Sequence, residues 1–154
     1  PSGVKMSIRN IAICLIEHDN KLFVGEGRDA VKGETFYRPL GGGIEFGELA
    51  AQTAIREFKE ELNADIQVLA YCHTLENIFE FNGKQGHQIV IVLQARFVDP
   101  AFYDRDNFAC IDDNGGFVAK WIDKDEFYAG RKILYPIGLV EYLKGRGGAN
   151  KGCE

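Results

Sequence analysis

The chain has 154 residues, 45% of them hydrophobic and 27% charged, which suits one globular domain that buries roughly 70% of its unfolded surface. A formal net charge of −5 argues against a long polyanion such as duplex nucleic acid, whose binding rests on many Lys and Arg contacts to phosphate. No stretch reaches the roughly 18 consecutive apolar residues of a membrane span, and the start PSGVK lacks the apolar core of a secretion signal.

Residues 1–5 precede Met6 and are set aside as a remnant of processing. Residues 7–17 and 21–26, rich in Ile, Leu and Val, flank His18-Asp19-Asn20 and predict a strand, a tight turn and a second strand. Residues 38–47, RPLGGGIEFG, read as a glycine loop. Residues 48–62 carry Ala51, Ala54, Ile55, Phe58 and Leu62 at helical spacing with no internal Gly or Pro, which predicts an amphipathic helix. Residues 66–81 and 87–98 are β-branched and aromatic, with an Asn82-Gly83 turn signal between them, and are expected to pair as a long antiparallel hairpin. Residues 99–116 look irregular, 117–122 give a short strand, and helical pieces are expected at 123–129 and 136–145. Past Leu143 the small, polar tail is expected to fray. With no repeat and no linker, the reading is a single α+β domain over 1–154, its core at about 7–145: a mixed β-sheet flanked by helices.

Four cysteines, Cys14, Cys72, Cys110 and Cys153, form no C-x-x-C pair. Free thiols in a reducing cytoplasm are the expectation.

The chemistry concentrates on the helix at 48–62. With Glu57 at zero on a wheel of about 100° per residue, Glu61 lies at about +40° and Glu60 at about −60°, beside the apolar stripe. Like charges at these spacings destabilise a helix by a few tenths of a kcal/mol per pair, roughly, unless something positive sits among them. Arg56 relieves part of this, and a hard divalent cation would relieve more, since magnesium takes a few carboxylate oxygens plus waters and phosphates. The bland alternative is a solvated acidic face. Gly41, Gly42 and Gly43 weigh against it, because they set exposed backbone groups just before a helix N-terminus, where anions are favoured. Glu48 in the first turn also suits the helix dipole. Arg38 can reach a phosphate from the loop or form a surface salt bridge. Glu76, in mid-strand, is a candidate metal or substrate contact because a carboxylate there costs free energy unless paired. Glu80 near the hairpin end, and His73 and His87, read as ordinary strand residues.

The segment 42–64, GGIEFGELAAQTAIREFKEELNA, resembles the Nudix box, G-x5-E-x7-R-E-U-x-E-E-x-G-U with U a bulky apolar residue. Gly42, Glu48, Arg56, Glu57, Phe58, Glu60 and Glu61 match. Asn63 and Ala64 depart from the pattern, and Pro39-Leu40 stands where Leu-Pro is common. Asn is the next best residue after Gly for a left-handed helix end, so the helix stop is expected to survive. The resemblance implies a Nudix-like mixed sheet between helices and a pyrophosphohydrolase acting on a small nucleotide. It implies magnesium, with manganese as a substitute, held by the Gly42 carbonyl, Glu57, Glu60 and Glu61. Glu57, Glu60 and Arg56 would be the catalytic group, with Arg56 orienting the glutamates. The general base is Glu57 in first place, with an acidic residue outside the box left open. Where ADP-ribose hydrolases of this family often carry a proline, this chain has Phe79. Where dinucleoside tetraphosphate hydrolases often carry a tyrosine, it has Phe81. The first difference weighs against that group and the second decides nothing; compact size with no obvious extra domain makes a nucleoside triphosphate or similar small nucleotide the leading substrate. The alternatives are a dinucleoside polyphosphate, a nucleotide sugar, or a non-catalytic ligand sensor, and the chain is expected to be a monomer or homodimer.

Overall fold

The computed structural model describes residues 6–149. The expectations for residues 1–5, for tail residues 150–154 and for Cys153 fall outside them.

Strand β1 (Arg9–Leu15) is buried on both faces from Ala12 onward and continues as buried Ile16. Such an unbroken apolar run suits a central strand covered on both sides. It pairs antiparallel with β5 (Gly41–Gly43) and parallel with β7 (Lys84–Phe97), which pairs antiparallel with β6 (Ile66–Phe81), giving the order β5-β1-β7-β6. The chain leaves this mixed sheet at Ile16, whose carbonyl accepts from the Phe23 N–H. It then enters a second sheet of β2 (Glu17–His18), β3 (Lys21–Asp29), β9 (Phe117–Asp123) and β8 (Asn107–Cys110), with β4 (Glu34–Arg38) on the other edge of β3. The expected α+β architecture holds.

Several local expectations change. The first hairpin survives only where Glu17–His18 meet Lys21–Leu22 across Asp19 and Asn20, both at positive φ, because most of β1 finds its partners elsewhere. The glycine segment is a strand at Gly41–Gly43, and β4 before it was not anticipated. The irregular stretch holds a 3-10 turn, Pro100–Tyr103, and β8. Cys14 and Cys110 are free and buried, whereas Cys72 is disulfide-bonded, against the free-thiol expectation. The long hairpin forms with Asn82 and Gly83 at positive φ, as its two-residue turn requires.

Helix α1 (Ala50–Leu62) covers one face of the mixed sheet, burying Ala50, Thr53, Ala54 and Phe58. Ile55, expected in its apolar stripe, is 44% exposed. Under α1, Phe97 packs edge-on against Phe23, Phe58 and Trp121. The opposite face of the sheet meets α2 (Lys124–Tyr128) and α3 (Leu139–Ala149) through Phe127, Leu139 and Leu143. Helix α3 runs past Leu143, so fraying there is not seen within the described residues. A buried carboxylate ties two turns together: Asp29 accepts the N–H groups of Val31, Lys32 and Asn82, and the Asn82 side-chain oxygen accepts from the Ala30 N–H. No helix among the described residues is long and apolar enough to cross a membrane.

Candidate active site

The site begins with the close approach of β5 to its neighbours. At Gly41 an added Cβ would overlap the Ala12 carbonyl, and at Gly42 it would overlap the Glu57 carboxyl group. Glycine at both positions lets the loop backbone lie directly on β1 and on the acidic face of α1. The Arg9 guanidinium takes the matching place beside Gly43, 2.7 Å from where a Cβ would stand.

Arg56 holds this region together. Its Nε donates to Glu48 Oε2 at 2.7 Å and one terminal nitrogen donates to Glu48 Oε1 at 3.0 Å, a two-point pairing of planar groups. That second nitrogen also donates to the Gly43 carbonyl at 3.1 Å. The other terminal nitrogen donates to Glu57 Oε1 at 2.8 Å and reaches Glu60 Oε1 at 3.5 Å. One side chain thus fixes the loop, the start of α1 and two of the box glutamates. Glu48 also accepts from the Thr53 hydroxyl and the Glu45 N–H. The Arg56 and Thr53 hydrogen bonds hold the Glu48 carboxyl down at a pKa of about 2, and Glu48 in turn raises that of Arg56.

Glu61 behaves in the opposite way. Burial first, then the charge of Glu57 and a hydrogen bond with it, push its carboxyl up to about 8, with Asp112 adding to the rise and Arg38 opposing it. Two carboxylates this close repel each other, and a cation between them would relieve the repulsion. Among the described residues no three His, Cys, Asp or Glu side chains converge as a closed metal site. Glu60, 59% exposed, turns toward Arg56 instead. The Glu57–Glu61 pair beside the Gly42 backbone nevertheless fits magnesium, which takes few protein ligands and completes its shell with waters and substrate phosphates.

The remaining expectations divide. Arg38, exposed at the end of β4, stands close enough for its charge to act on Glu61. Glu76 is not the buried mid-sheet carboxylate inferred from sequence. Strand alternation turns Leu75, Asn77 and Phe79 inward and leaves Glu76 exposed, opposite Ile89. Asp112 was missed. The loop after β8 brings it to α1, where the Ile111 N–H donates to the Glu61 carbonyl at 2.9 Å. The acidic pair Asp112-Asp113 in a turn-like stretch was the one sequence cue. A recess of about 430 Å³ between α2 and α3 shares no lining residue with the loop or α1.

The helix end agrees with the sequence. Asn63 adopts φ 52° and ψ 39°, its N–H donating to the Lys59 carbonyl, and the Ala64 N–H donates to Phe58.

The NUDIX domain family model matches residues 6–137. Among solved structures, a NUDIX hydrolase from Nitrosomonas europaea superposes with a TM-score of 0.67 at 17% identity, covering 96% of this chain and 93% of that one. A MutT protein from Methanosarcina mazei Go1 gives 0.66 at 12% identity, covering 97% and 100%. An ADP-ribose pyrophosphatase from Streptococcus suis gives 0.61 at 12%, covering 95% and 94%. At these identities the structural likeness speaks for the fold, and the family model adds the membership. The box from Gly42 through Glu61, the arginine that organises it and the match over most of the chain agree: the protein belongs to the NUDIX domain family of pyrophosphohydrolases.

Proposed function

We propose that the chain hydrolyses the pyrophosphate linkage of a nucleoside triphosphate or similar small nucleotide. Magnesium, or manganese in its place, would be held by Glu57, Glu60, Glu61 and the Gly42 carbonyl. The observation that carries this is the Glu57–Glu61 pair on one side of α1, with the Gly42 backbone so close that a Cβ there would overlap the Glu57 carboxyl group. When bound, the metal neutralises charge on the phosphoryl oxygens and lowers the pKa of a bound water.

The protein's own groups then have separate tasks. Arg56 positions Glu57 and Glu60 and keeps the loop at Gly43 in place. The backbone of Gly41, Gly42 and Gly43 lies along the phosphates, and Arg38 supplies a cation on the Glu61 side. Glu57 takes the proton of the attacking water as the new bond to phosphorus forms and the anhydride oxygen leaves.

The test is release of phosphate or pyrophosphate from ATP, GTP, CTP, UTP, ADP-ribose and UDP-glucose, with and without magnesium. Turnover should require the metal, and Glu57→Gln and Glu61→Gln should each cut kcat by at least about a hundredfold with the fold intact. Undiminished turnover after exhaustive chelation refutes the metal role. Near-normal turnover in either variant assigns that glutamate to a solvated face.

A further inference from the structure

The recess of about 430 Å³ between α2 and α3 stands apart from the glycine loop and α1, and its volume falls in the range of small-molecule sites, roughly 300–1,000 Å³. Backbone pairing builds its floor. The Tyr37 N–H donates to the Ile133 carbonyl and the Tyr135 N–H donates to the Tyr37 carbonyl, both at 2.8 Å, with Leu134 bridged to Tyr37 between them. Phe127 and Leu134 are buried in that floor, whereas Val140 is half-buried and Ile137 is 62% exposed on the walls. Apolar surface left open to water over a fixed base is surface that a ligand can cover.

Charge says which ligand. Two lysines and one glutamate, Lys132, Lys144 and Glu141, are the charged residues of the lining, which leaves it with one net positive charge. The Lys132 Nζ stands 5.7 Å from the centre of the Tyr37 ring and the Lys144 Nζ 6.0 Å from that of Tyr128, so ring faces hold both ammonium groups without cancelling their charge. Among the described residues neither ammonium is in an ion pair or a side-chain hydrogen bond, and Lys132 acts on Glu26 and Glu126 only at longer range. The neighbouring Arg131 and Arg146, by contrast, are taken by Glu126 and Glu17.

We propose that this recess is a second binding site, for a small apolar organic acid in its carboxylate form. The apolar body covers Phe127, Leu134, Ile137 and Val140, and the carboxylate answers Lys132 and Lys144. A neutral ligand of the same shape would take water from the two ammonium groups and return nothing. A dianion would bring more charge than the lining can balance and would meet Glu141. The site is independent of the hydrolase reading, since it uses none of the residues placed in that reaction.

The test is a titration of the isotope-labelled whole chain with naphthoate, followed through the backbone amide resonances. Naphthamide supplies the same body without the charge, and acetate the charge without the body. Naphthoate should shift the amides of Ala129, Ile133 and Val140 saturably and leave those of Gly41, Gly42 and Gly43 in place. It should bind at least about fivefold more tightly than naphthamide, and acetate should not saturate. Lys132→Gln with Lys144→Gln should weaken naphthoate about tenfold, the effect of two partly exposed charge contacts, while the same pair changed to Arg keeps most of the affinity. Glu141→Gln should act in the opposite direction and tighten binding. Shifts centred on the glycine loop, no saturable shift at the recess, equal affinity for naphthamide, or a double glutamine variant that binds as the parent does would each overturn the proposal. If that double variant fails to fold, Lys144→Gln and Glu141→Gln decide it: opposite changes in affinity support the site, and any other result overturns it.

Discussion

At the scale of single residues, the site is a contest between one cation and several anions. Arg56 is committed to Glu48, Gly43 and Glu57, so Glu61 meets Glu57 with only Arg38 to oppose the repulsion. A pH dependence follows. The Glu61 pKa rises from 4.5 to about 8 in the folded chain, so between those values the folded state binds more protons than the unfolded state. Stability attributable to this group is therefore present at acid pH and lost as pH rises through that window. Thermal melts of metal-free protein at pH 5, 7 and 9 should show Glu61→Gln gaining on the parent as pH increases, and magnesium should narrow the gap. A gap that stays constant across the three pH values means that burial and the Glu57 charge do not raise the Glu61 carboxyl as described. Glu57 and Glu61 stand one helical turn apart, so their shared face was legible in the sequence. Their burial was not, because it depends on the loop from another part of the chain that covers them.

At the scale of elements, α1 was the most legible part, since its periodicity, its helix end and its charges are local. Its stop is a test of backbone conformation. Asn63 sits at φ 52°, so Asn63→Gly should be neutral or slightly stabilising, whereas Asn63→Val should cost about 1–2 kcal/mol because a branched Cβ opposes the left-handed region. Urea melts of both variants measure this, and a valine variant as stable as the parent removes Asn63 from its role as the helix stop. Metal affinity should change little, because the residue lies beyond Glu61 and makes none of the Arg56 contacts. The short strands β4, β5 and β8 were not legible. Gly41–Gly43 carries no strand preference of its own, and becomes a strand because β1 presents an open edge that only residues without Cβ can approach so closely.

At the scale of the whole molecule, the two sheets and α1 meet in one aromatic cluster. Phe97 touches the rings of Phe23, Phe58, Phe102, Tyr103 and Trp121, drawn from four different elements. Phe97→Ala should cost about 3–5 kcal/mol in denaturant unfolding, and a loss below about 1 kcal/mol would show that the cluster collapses around the gap without strain. The sequence by itself determined the α+β class, the box helix with its glutamates and arginine, the left-handed stop at Asn63 and the Asn82-Gly83 hairpin. Each depends on interactions within a few residues, which periodicity and turn chemistry express directly. Tertiary structure alone decided that β1 lies parallel to β7 rather than folding back on β3. It also decided that Glu76 faces outward while Asn77 is buried with one carbonyl unpaired, and that Asp112 arrives beside Glu61. These outcomes depend on pairings between distant segments, whose relative stability is set by how completely both faces of the sheet are covered, and no local pattern of residues records that.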